Sequence, residues 1–475
     1  MKSHHNGKRR MKTEIFIVLA IAVMTGCKST HEPDLPSPVV TVPTGPALPQ
    51  PLGHSSMITV PKVLNELVNL YPGRSNSEPF WAQFVSAADV SFSTGYFAAT
   101  TVVRIDTAGR PVWAKTYSMP SVTGSGAFAP CPSGGGLVVV RSPGTLTTGS
   151  TSFVVARLND QGVVQWSNEY STTPTSQINA VSYGVLPLAD GGSVVYTAER
   201  EALILFGLDP VGNLRWERKT AFSSTQVEGP QLVELPTGKL VMVARALRGA
   251  FFTRFSAVGV AEQAVSYVNS QVETKPEGGQ LRALADGTVL VALQDPGSNC
   301  LLQLSSSGRR MKATYYFTSS AMTDFDLLPT GEGALLMRNQ NQQYFYHVAV
   351  DGEADGVGQR LGSNSTVLIP FLSKSPMQVV CTTEGSCYSL GRQAMDADIL
   401  YGQFQFHKTN RRGNNFCPTT SLQAVITGRE TFAGLAALNE QPFTGIQDVA
   451  APTITVVPRA VQAKTLPVTV VRGCQ

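Results

Sequence analysis

The fold is decided by the stretch Val103-Arg104-Ile105-Asp106-Thr107-Ala108-Gly109-Arg110-Pro111-Val112-Trp113, whose pattern returns twice in clear form. It returns as ARLNDQGVVQW at 156–166 and as FGLDPVGNLRW at 206–216. Weaker copies bring the total to seven, at a mean spacing of about 51 residues, and are centred on Gly259, Gly308, Gly356 and Gly413. A fixed period of this length is the signature of a repeat architecture.

Each copy reads as an alternating strand, a tight turn and a second strand. In most copies Asp, Asn or Ser opens the turn and Gly stands three residues later. The short polar side chain bonds the backbone ahead of it, and Gly supplies the positive φ that closes a hairpin. Tryptophan follows four residues after the glycine in three copies, where we expect the ring to pack between neighbouring sheets. The structural residues of the repeat are therefore predicted to include Gly109, Trp113, Gly162, Trp166, Asp209, Gly212 and Trp216.

A second turn precedes the hairpin and is spelled Leu-Ala-Asp-Gly or Leu-Pro-Thr-Gly in four copies. In three successive units its glycine lies 21 residues before the hairpin glycine, as in Gly191 and Gly212. Two hairpins in about 50 residues predict four short antiparallel strands, and such units close into a propeller. We therefore predict an all-β fold, a seven-bladed β-propeller over 76–475. The tail from about Ala424 contains further strand-like runs, which we expect to close the ring by completing the first or last blade; an eighth blade is the alternative.

The repeat resembles the Leu-Asp-x-x-Gly-Asn-x-x-Trp units of secreted bacterial β-propellers, and Leu208 to Trp216 shows the pattern in full. It is also similar to the tryptophan-docking motif of quinoprotein-type propellers and of the lipoprotein scaffold of the outer-membrane assembly machine. That motif has one more residue between Asp and Gly. The resemblance covers roughly residues 80–425, and it implies a fold more than a function, since one fold hosts many functions.

Residues 1–26 are predicted to be an export signal. Five Lys and Arg residues precede an apolar run from Ile15 to Met24, which is about half as long as a membrane-spanning helix needs. Met24-Thr25-Gly26-Cys27 resembles the lipobox of bacterial lipoproteins. This resemblance implies that the Cys27 thiol is acylated, and the following residue, Lys28, implies sorting to the outer membrane. A plain cleaved secretory signal is the alternative.

Two segments separate the signal from the propeller. Seven prolines between Pro33 and Pro51 favour extended polyproline II, so 27–58 is predicted to be a semi-rigid tether. Residues 59–75 contain apolar residues between Val63 and Leu70, with proline near each end. This pattern predicts one short amphipathic helix.

Composition and charge argue against several classes of protein. Charged residues are 15% of the chain and hydrophobic residues 42%, which argues against a coiled coil and against wholesale disorder. The net charge is +4, but 32 basic and 32 acidic residues remain from Cys27 onward. The excess belongs to the export signal, so we expect no nucleic-acid partner. The clusters at 309–312 and 408–412 are predicted to be solvated blade edges, with an anionic polysaccharide or lipid A surface as the alternative.

Few side chains suggest catalysis or metal binding. His347 and His407 fall in the region predicted to fold, and both are predicted to be structural or surface residues. The acidic pairs at 324 and 326 and at 396 and 398 would each lie on one strand face. Paired carboxylates suit Ca²⁺ binding or glycoside hydrolysis, although a solvated loop is the simpler interpretation. We expect no cofactor, no metal and no catalytic residue.

The cysteines fit an exported protein. Six remain after Cys27, and two of them, Cys381 and Cys387, bracket one of the repeat turns, so that their thiols face each other across a hairpin. We predict a disulfide between them. The other four allow three pairings or remain as free buried thiols; they are Cys131, Cys300, Cys417 and Cys474.

These features predict a monomeric propeller lipoprotein, held to the outer membrane by its N-terminal lipid. We expect it to act as a binding or scaffolding module for a protein or glycan, without catalysis. The alternative is a secreted propeller enzyme, a hydrolase or lyase, that acts on glycans. A third possibility is a periplasmic assembly scaffold that offers blade edges to partner proteins.

Overall fold

The computed structural model has two compact units, Met1–Gln50 and Pro51–Gln475. All described residues belong to the second unit, so the predicted export signal, Cys27 and most of the predicted tether lie outside them. In the described part, no helix has the length and hydropathy that a membrane span requires. The described ranges are 54–61, 63–71, 80–86, 99–118, 126–142, 152–172, 182–199, 201–222, 227–246, 249–269, 280–295, 298–317, 321–328, 332–339, 342–348, 357–361, 378–382, 386–392, 401–410, 424–425, 428–432, 438–443, 446–451, 453–467 and 469–474.

Every described element is a β-strand. The first 28 in chain order are β1 (His54–Pro61), β2 (Val63–Tyr71), β3 (Phe80–Ser86), β4 (Ala99–Ile105), β5 (Pro111–Ser118), β6 (Ala127–Pro130), β7 (Gly136–Ser142), β8 (Ser152–Leu158), β9 (Val164–Thr172), β10 (Ser182–Pro187), β11 (Ser193–Ala198), β12 (Ala202–Leu208), β13 (Leu214–Phe222), β14 (Glu228–Glu234), β15 (Leu240–Ala246), β16 (Gly249–Phe255), β17 (Ala261–Asn269), β18 (Gln280–Ala283), β19 (Val289–Asp295), β20 (Ser298–Leu304), β21 (Arg310–Phe317), β22 (Ala321–Leu327), β23 (Gly333–Asn339), β24 (Gln342–Val348), β25 (Val357–Leu361), β26 (Gln378–Cys381), β27 (Ser386–Arg392) and β28 (Tyr401–Asn410).

These strands form antiparallel meanders that we number as sheets 1 to 7 in chain order. Sheets 1 to 6 each take four consecutive strands, starting with β2–β5 and ending with β22–β25. Sheet 7 takes β26, β27 and β28, and its fourth strand is β1. Sheet 7 therefore joins β1, the first described strand, to the last three strands of the meander series.

A buried apolar cluster lies between each pair of neighbouring sheets. One example joins Trp81, Val102 and Tyr117 of sheet 1 to Phe128 and Val154 of sheet 2. The last cluster joins sheet 7 back to sheet 1. Strands such as β12 are buried along their whole length because both faces of the sheet are covered. The all-β propeller fold is confirmed, and the number of blades in the whole chain stays a prediction.

The C-terminal strands form a belt, which we define as residues 424–474, around the outside of the seven sheets. Each belt strand adds antiparallel to the fourth strand of one sheet, in reverse order from sheet 6 to sheet 1 and then to β1 of sheet 7. The belt thus covers the outer edge of every sheet. Its strands are β29 (Ala424–Val425), β30 (Gly428–Phe432), β31 (Leu438–Pro442), β32 (Ile446–Val449), β33 (Ile454–Pro458), β34 (Gln462–Thr465) and β35 (Thr469–Cys474).

The predicted helix over 59–75 is wrong. The chain there forms the end of β1 and the whole of β2, which pairs antiparallel with β3. The register of this pair shifts between Val63 and Leu67 and again between Leu67 and Asn69. Such bulges add residues between paired positions and break the two-residue alternation. The spacing of the apolar residues therefore resembled that of a helix, although the segment pairs with β3 as a strand.

Candidate functional site

In an antiparallel meander of four consecutive strands, the turn between the first two strands and the turn between the last two lie at the same end of the sheet. We call this end the turn face. Contacts between the two turn types confirm their proximity: Asp160 Oδ1 accepts a hydrogen bond from Gly135 N at 2.8 Å. Strand β1 also begins at this end, since His54 pairs with Lys408 near the end of β28.

The repeat tryptophans dock on the turn of the next sheet. Trp113 Nε1 donates to the carbonyl of Asp160 at 3.0 Å, and Trp166 Nε1 donates to that of Pro210 at 3.0 Å. The turn glycine gives each ring its space: a Cβ on Gly162 would lie 2.7 Å from Trp113 Cη2. Trp216 meets Gly259 in the same way. The tryptophans and glycines therefore couple neighbouring sheets at the turn face.

The polar residue that opens each turn holds the hairpin shut. Asp209 Oδ1 accepts hydrogen bonds from Val211 N at 3.0 Å and from Asn213 N at 2.7 Å. Gly212 closes this turn with φ of 88°, and Gly109 closes the equivalent turn of sheet 1 with φ of 73°. L-residues with a side chain rarely adopt such angles. At these positions the polar side chain and the glycine together close the hairpin.

A tyrosine anchor accompanies the tryptophan and was not predicted from the sequence. Tyr117 Oη donates to the carbonyl of Gly162 at 2.8 Å, and Tyr170 Oη donates to that of Gly212 at 2.5 Å. Tyr267 makes the same contact with Gly308. Each of these buried tyrosines stands eight residues after its own hairpin glycine. That constant spacing was the signal that could have revealed them.

Five apolar side chains are exposed near the turn face, either in the hairpin between the third and fourth strands or at the start of the fourth strand, in five successive sheets. We call them the apolar arc. Exposed fractions run from 46% at Val258 to 63% at Val211. Single exposed apolar residues are ordinary, but their recurrence near the same hairpin of five successive sheets makes this end of the sheets a candidate interaction surface. The arc consists of Val112, Val163, Val211, Val258 and Met311.

The acidic pair Asp324 and Asp326 lies on β22, the innermost strand of sheet 6, and not in a solvated loop. Asp324 is 1% exposed, and its two oxygens accept hydrogen bonds from Phe325 N and Val379 N, each at 2.8 Å. Asp326 Oδ2 accepts one from Cys381 N at 2.7 Å. These carboxylates therefore pair the innermost strands of sheets 6 and 7.

Arg282 on the innermost strand of sheet 5 faces the same two carboxylates. Its Nη2 lies 3.6 Å from Asp324 Oδ1 and its Nε lies 3.9 Å from Asp326 Oδ1. Burial raises the pKa of Asp324 to about 7 and that of Asp326 to about 6, while the charge of Arg282 opposes both shifts. The sequence did not single out Arg282, because the contact depends on how three sheets meet around the ring.

The other candidate residues lie in or next to strands, or fall outside the described residues. His347 is in β24 and His407 in β28, whereas Asp396 and Asp398 lie outside the described residues. The cluster at 309–312 begins in the hairpin of sheet 5 and runs into the fourth strand, as expected for a blade edge. Of the cluster at 408–412, residues 408–410 end β28. In the described part of the chain, no group of three His, Cys, Asp or Glu side chains is placed to hold a metal ion.

The structure has a disulfide between Cys381 and Cys387, which joins β26 to β27 across their turn. Cys131 is a buried free thiol, and burial raises its pKa to about 12. Cys300 is buried on β20. Cys417 lies outside the described residues, and Cys474 is in β35.

Comparison with known proteins finds one matching family and several similar solved structures. Residues 72–313 match the family profile described as outer membrane protein assembly factor BamB. Among solved structures, a streptogramin B lyase is similar at 11% identity, covering 74% of this chain and 97% of the other, with a TM-score of 0.41. The Dos1 propeller matches at 9% identity over 74% and 94%, with a TM-score of 0.40. The polysaccharide lyase Uly1 matches at 9% identity over 74% and 90%, also with a TM-score of 0.40. No curated protein matches the chain.

Proposed function

The chain belongs to the family described as outer membrane protein assembly factor BamB, and on this premise we propose that it is a non-catalytic binding or scaffolding module of the bacterial outer membrane. In this proposal Cys27 carries the lipid that holds the propeller at the membrane. The turn face is the surface that receives a partner protein.

One observation carries the proposal: the apolar arc. Its side chains keep about half of their surface exposed at the same hairpin of five successive sheets. Covering them with a partner removes apolar surface from water, at about 25 cal/mol per Å². Polar and charged residues surround the arc, as at the rim of a docking surface. Arg110, 61% exposed at its side chain, is one of them.

The belt leaves only short strands at the outer edges of the sheets. In all seven sheets the fourth strand is already paired with a belt strand, which forms the outer edge instead. A scaffold that recruits partners by strand addition needs an open sheet edge. The described belt strands have only two to six residues, and such short edges favour the turn face as the docking surface.

A glycan-active enzyme is the second candidate, and one observation favours it. A carboxylic acid with a pKa raised to about 7, as at Asp324, is suited to general acid catalysis. Both oxygens of Asp324, however, accept backbone hydrogen bonds that tie two strands together. These bonds favour an assembly role for the pair.

The proposal is tested with polar replacements in the apolar arc. A triple variant, Val112→Ser, Val163→Ser and Met311→Gln, is compared with Val456→Ser and Val457→Ser on the belt, which are likewise exposed. We expect the arc variant to fold normally but to lose the partner that co-purifies with the wild-type chain from outer membranes. The belt variant should keep it. Equal retention by both variants would contradict the proposal.

A further inference from the structure

A cleft of about 190 Å³ opens on the turn face between sheets 3 and 4. Trp216 lines it, together with Gly207 from the strand opposite. Asp190, Arg215 and Glu234 supply its polar groups. Pockets for whole small molecules usually measure about 300–1,000 Å³, so this cleft suits the end of a single side chain.

The cleft adjoins a glycine that stands where the neighbouring sheets carry arginine. The residue paired with the repeat tryptophan is Arg104 in sheet 1, Arg157 in sheet 2 and Gly207 in sheet 3. In sheet 4 the same strand position is again an arginine, Arg254. A Cβ on Gly207 would lie 2.3 Å from Trp216 Cε2, so the glycine leaves no room for a side chain of its own.

The filled positions show which chemistry this part of the repeat accepts. The Arg104 guanidinium lies 4.0 Å from the centroid of the Trp81 ring. Arg157 Nη2 donates to the Gly134 carbonyl at 2.8 Å. In sheets 1 and 2 the chain thus supplies a guanidinium beside an aromatic ring or a turn carbonyl. Sheet 3 has the repeat tryptophan, Trp216, but Gly207 in place of the arginine and Val194 in place of Trp81.

The charges in the cleft favour a cation. Asp190 is neutralised by Arg215, whose Nη1 lies 2.5 Å from its Oδ2. Glu234 Oε2 accepts a hydrogen bond from Ala189 N at 2.7 Å. Burial raises the pKa of Glu234, and the negative charge of Asp190 adds to this shift. The residues that line the cleft thus include two carboxylates and one guanidinium, and a second cation would relieve this imbalance of charge.

We propose that this cleft binds the guanidinium of an arginine side chain presented by a partner protein, with Trp216 contacting the cation and Glu234 accepting its N–H groups. The inference rests on the proposed docking function of the turn face and names the chemistry of one anchor. Cations over indole rings and charge-assisted hydrogen bonds to carboxylates are both favourable in partly desolvated sites. Arginine fits better than lysine because its planar donors can contact a ring and a carboxylate together.

The test uses the full-length protein in detergent and two small probes, N-acetyl-arginine methylamide and its neutral isostere N-acetyl-citrulline methylamide. Binding is followed through the indole N–H signals of the four tryptophans. We expect the arginine probe to shift one indole signal and to bind at least about tenfold more tightly than the citrulline probe. Raising the salt concentration should weaken the binding.

Two variants and a control connect the binding to the cleft. Glu234→Gln should weaken the arginine probe about tenfold. Glu262→Gln removes an equal charge on the same face, where Glu262 pairs with Lys239 and Arg254, and should leave binding unchanged. Gly207→Ala should abolish binding, because its Cβ displaces the indole. If that variant does not fold, the effect of Glu234→Gln on binding of the arginine probe is the test of the cleft.

Three results would each overturn the inference: equal binding of citrulline, no effect of Glu234→Gln, or tighter binding of a neutral sugar such as N-acetylglucosamine. The docking function would survive these results if the apolar-arc variant still loses its partner. The arc residues changed in that variant belong to sheets 1, 2 and 5, whereas the cleft belongs to sheets 3 and 4, so the two failures are distinguishable.

Discussion

The indole N–H of Trp113 donates a 3.0 Å hydrogen bond to the backbone carbonyl of Asp160, across the boundary between sheets 1 and 2. Its ring lies against Gly162, the glycine that closes the hairpin of sheet 2. One residue of each repeat therefore depends on the turn of the next. This dependence explains why the tryptophan and the glycine recur together in the sequence.

Replacing Trp113 tests this coupling. Trp113→Phe removes the hydrogen bond and part of the buried ring, so we expect a loss of about 2 kcal/mol in the free energy of unfolding. Val112→Ala next to it changes an exposed side chain and should cost less than about 0.5 kcal/mol. Urea unfolding followed by circular dichroism measures both. Equal losses for the two variants would show that the docking contact adds no stability.

The glycine side of the contact has a matched control within the chain. Gly162 and Gly238 both have positive φ, at 66° and 75°. A Cβ on Gly162 would overlap Tyr117 and Trp113, whereas a Cβ on Gly238 would meet nothing within 4 Å. Gly238→Ala should therefore cost only about 1 kcal/mol, and Gly162→Ala at least about 2 kcal/mol more. Comparable thermal unfolding of the two variants would refute the packing argument.

The buried acids predict how stability depends on pH. Burial raises the pKa of Asp326 from 3.8 to about 6, so the folded state binds more protons than the unfolded state between these values. Stability is then highest below pH 4 for this group and falls as the pH rises through about 6. Asp326→Asn keeps an oxygen for Cys381 N and removes the titration. Because the Asp326 side chain is 19% exposed, we expect the variant to remove only about 1 kcal/mol of the decline between pH 5 and pH 8.

Unfolding of the wild type and Asp326→Asn in parallel at pH 5 and pH 8 measures this difference. Asp324 provides a second contribution of the same sign, because its pKa is raised to about 7. Some decline should therefore remain in the single variant. A pH dependence identical to that of the wild type would exclude Asp326 as its source.

The disulfide between Cys381 and Cys387 closes a loop with a sequence separation of 6. A disulfide that closes such a short loop stabilises the folded state by about 2 kcal/mol, because it lowers the conformational entropy of the unfolded chain. We expect the double variant Cys381→Ser, Cys387→Ser to lose about this amount. Alkylation of the unreduced, unfolded wild type should leave both thiols unmodified. Finding both alkylated would mean that the bond does not form in the cell.

Membrane attachment is tested at Cys27, the predicted site of acylation. Cys27→Ser removes the only thiol of the predicted lipobox. We expect the Cys27→Ser protein to shift from the membrane fraction to the soluble fraction or to accumulate as an unprocessed precursor. The control variant Cys131→Ser should stay in the membrane fraction. A Cys27→Ser protein that is processed normally and remains in the outer membrane would contradict lipid anchoring.

The sequence predicted the repeated hairpins well because their information is local. The turn that begins at Asp209 and closes at Gly212 is specified by four residues, and the tryptophan follows at a constant distance. The belt was harder to predict. The belt contacts residues far away in the sequence; Arg459 N, for example, donates a hydrogen bond to the carbonyl of Ser167. The belt strands also share no repeated sequence motif. Long-range pairing of this kind leaves no periodic trace in a single chain.

The candidate site was only partly predictable for the same reason. Asp324 and Asp326 were found by their alternation, but their contact with Arg282 depends on neighbouring inner strands from three sheets. The cleft beside Trp216 adjoins Gly207, which has no side chain where the equivalent strands have Arg104 and Arg157. This difference is recognised only when the strands of the three sheets are compared. The turns are explained by the local preferences of a few residues. The contact between Arg282 and the two aspartates, and the cleft beside Trp216, depend on how neighbouring sheets pack against each other.

The measurement that tests the central claim most directly is site-specific photo-crosslinking of the full-length chain in living cells. A photoreactive phenylalanine replaces Val163 on the turn face or Gln462 on the belt, both of which are exposed. The docking function predicts one discrete adduct with an envelope protein at position 163, and none at position 462. The same adduct at both positions, or no adduct at position 163, would contradict a binding module that acts through its turn face.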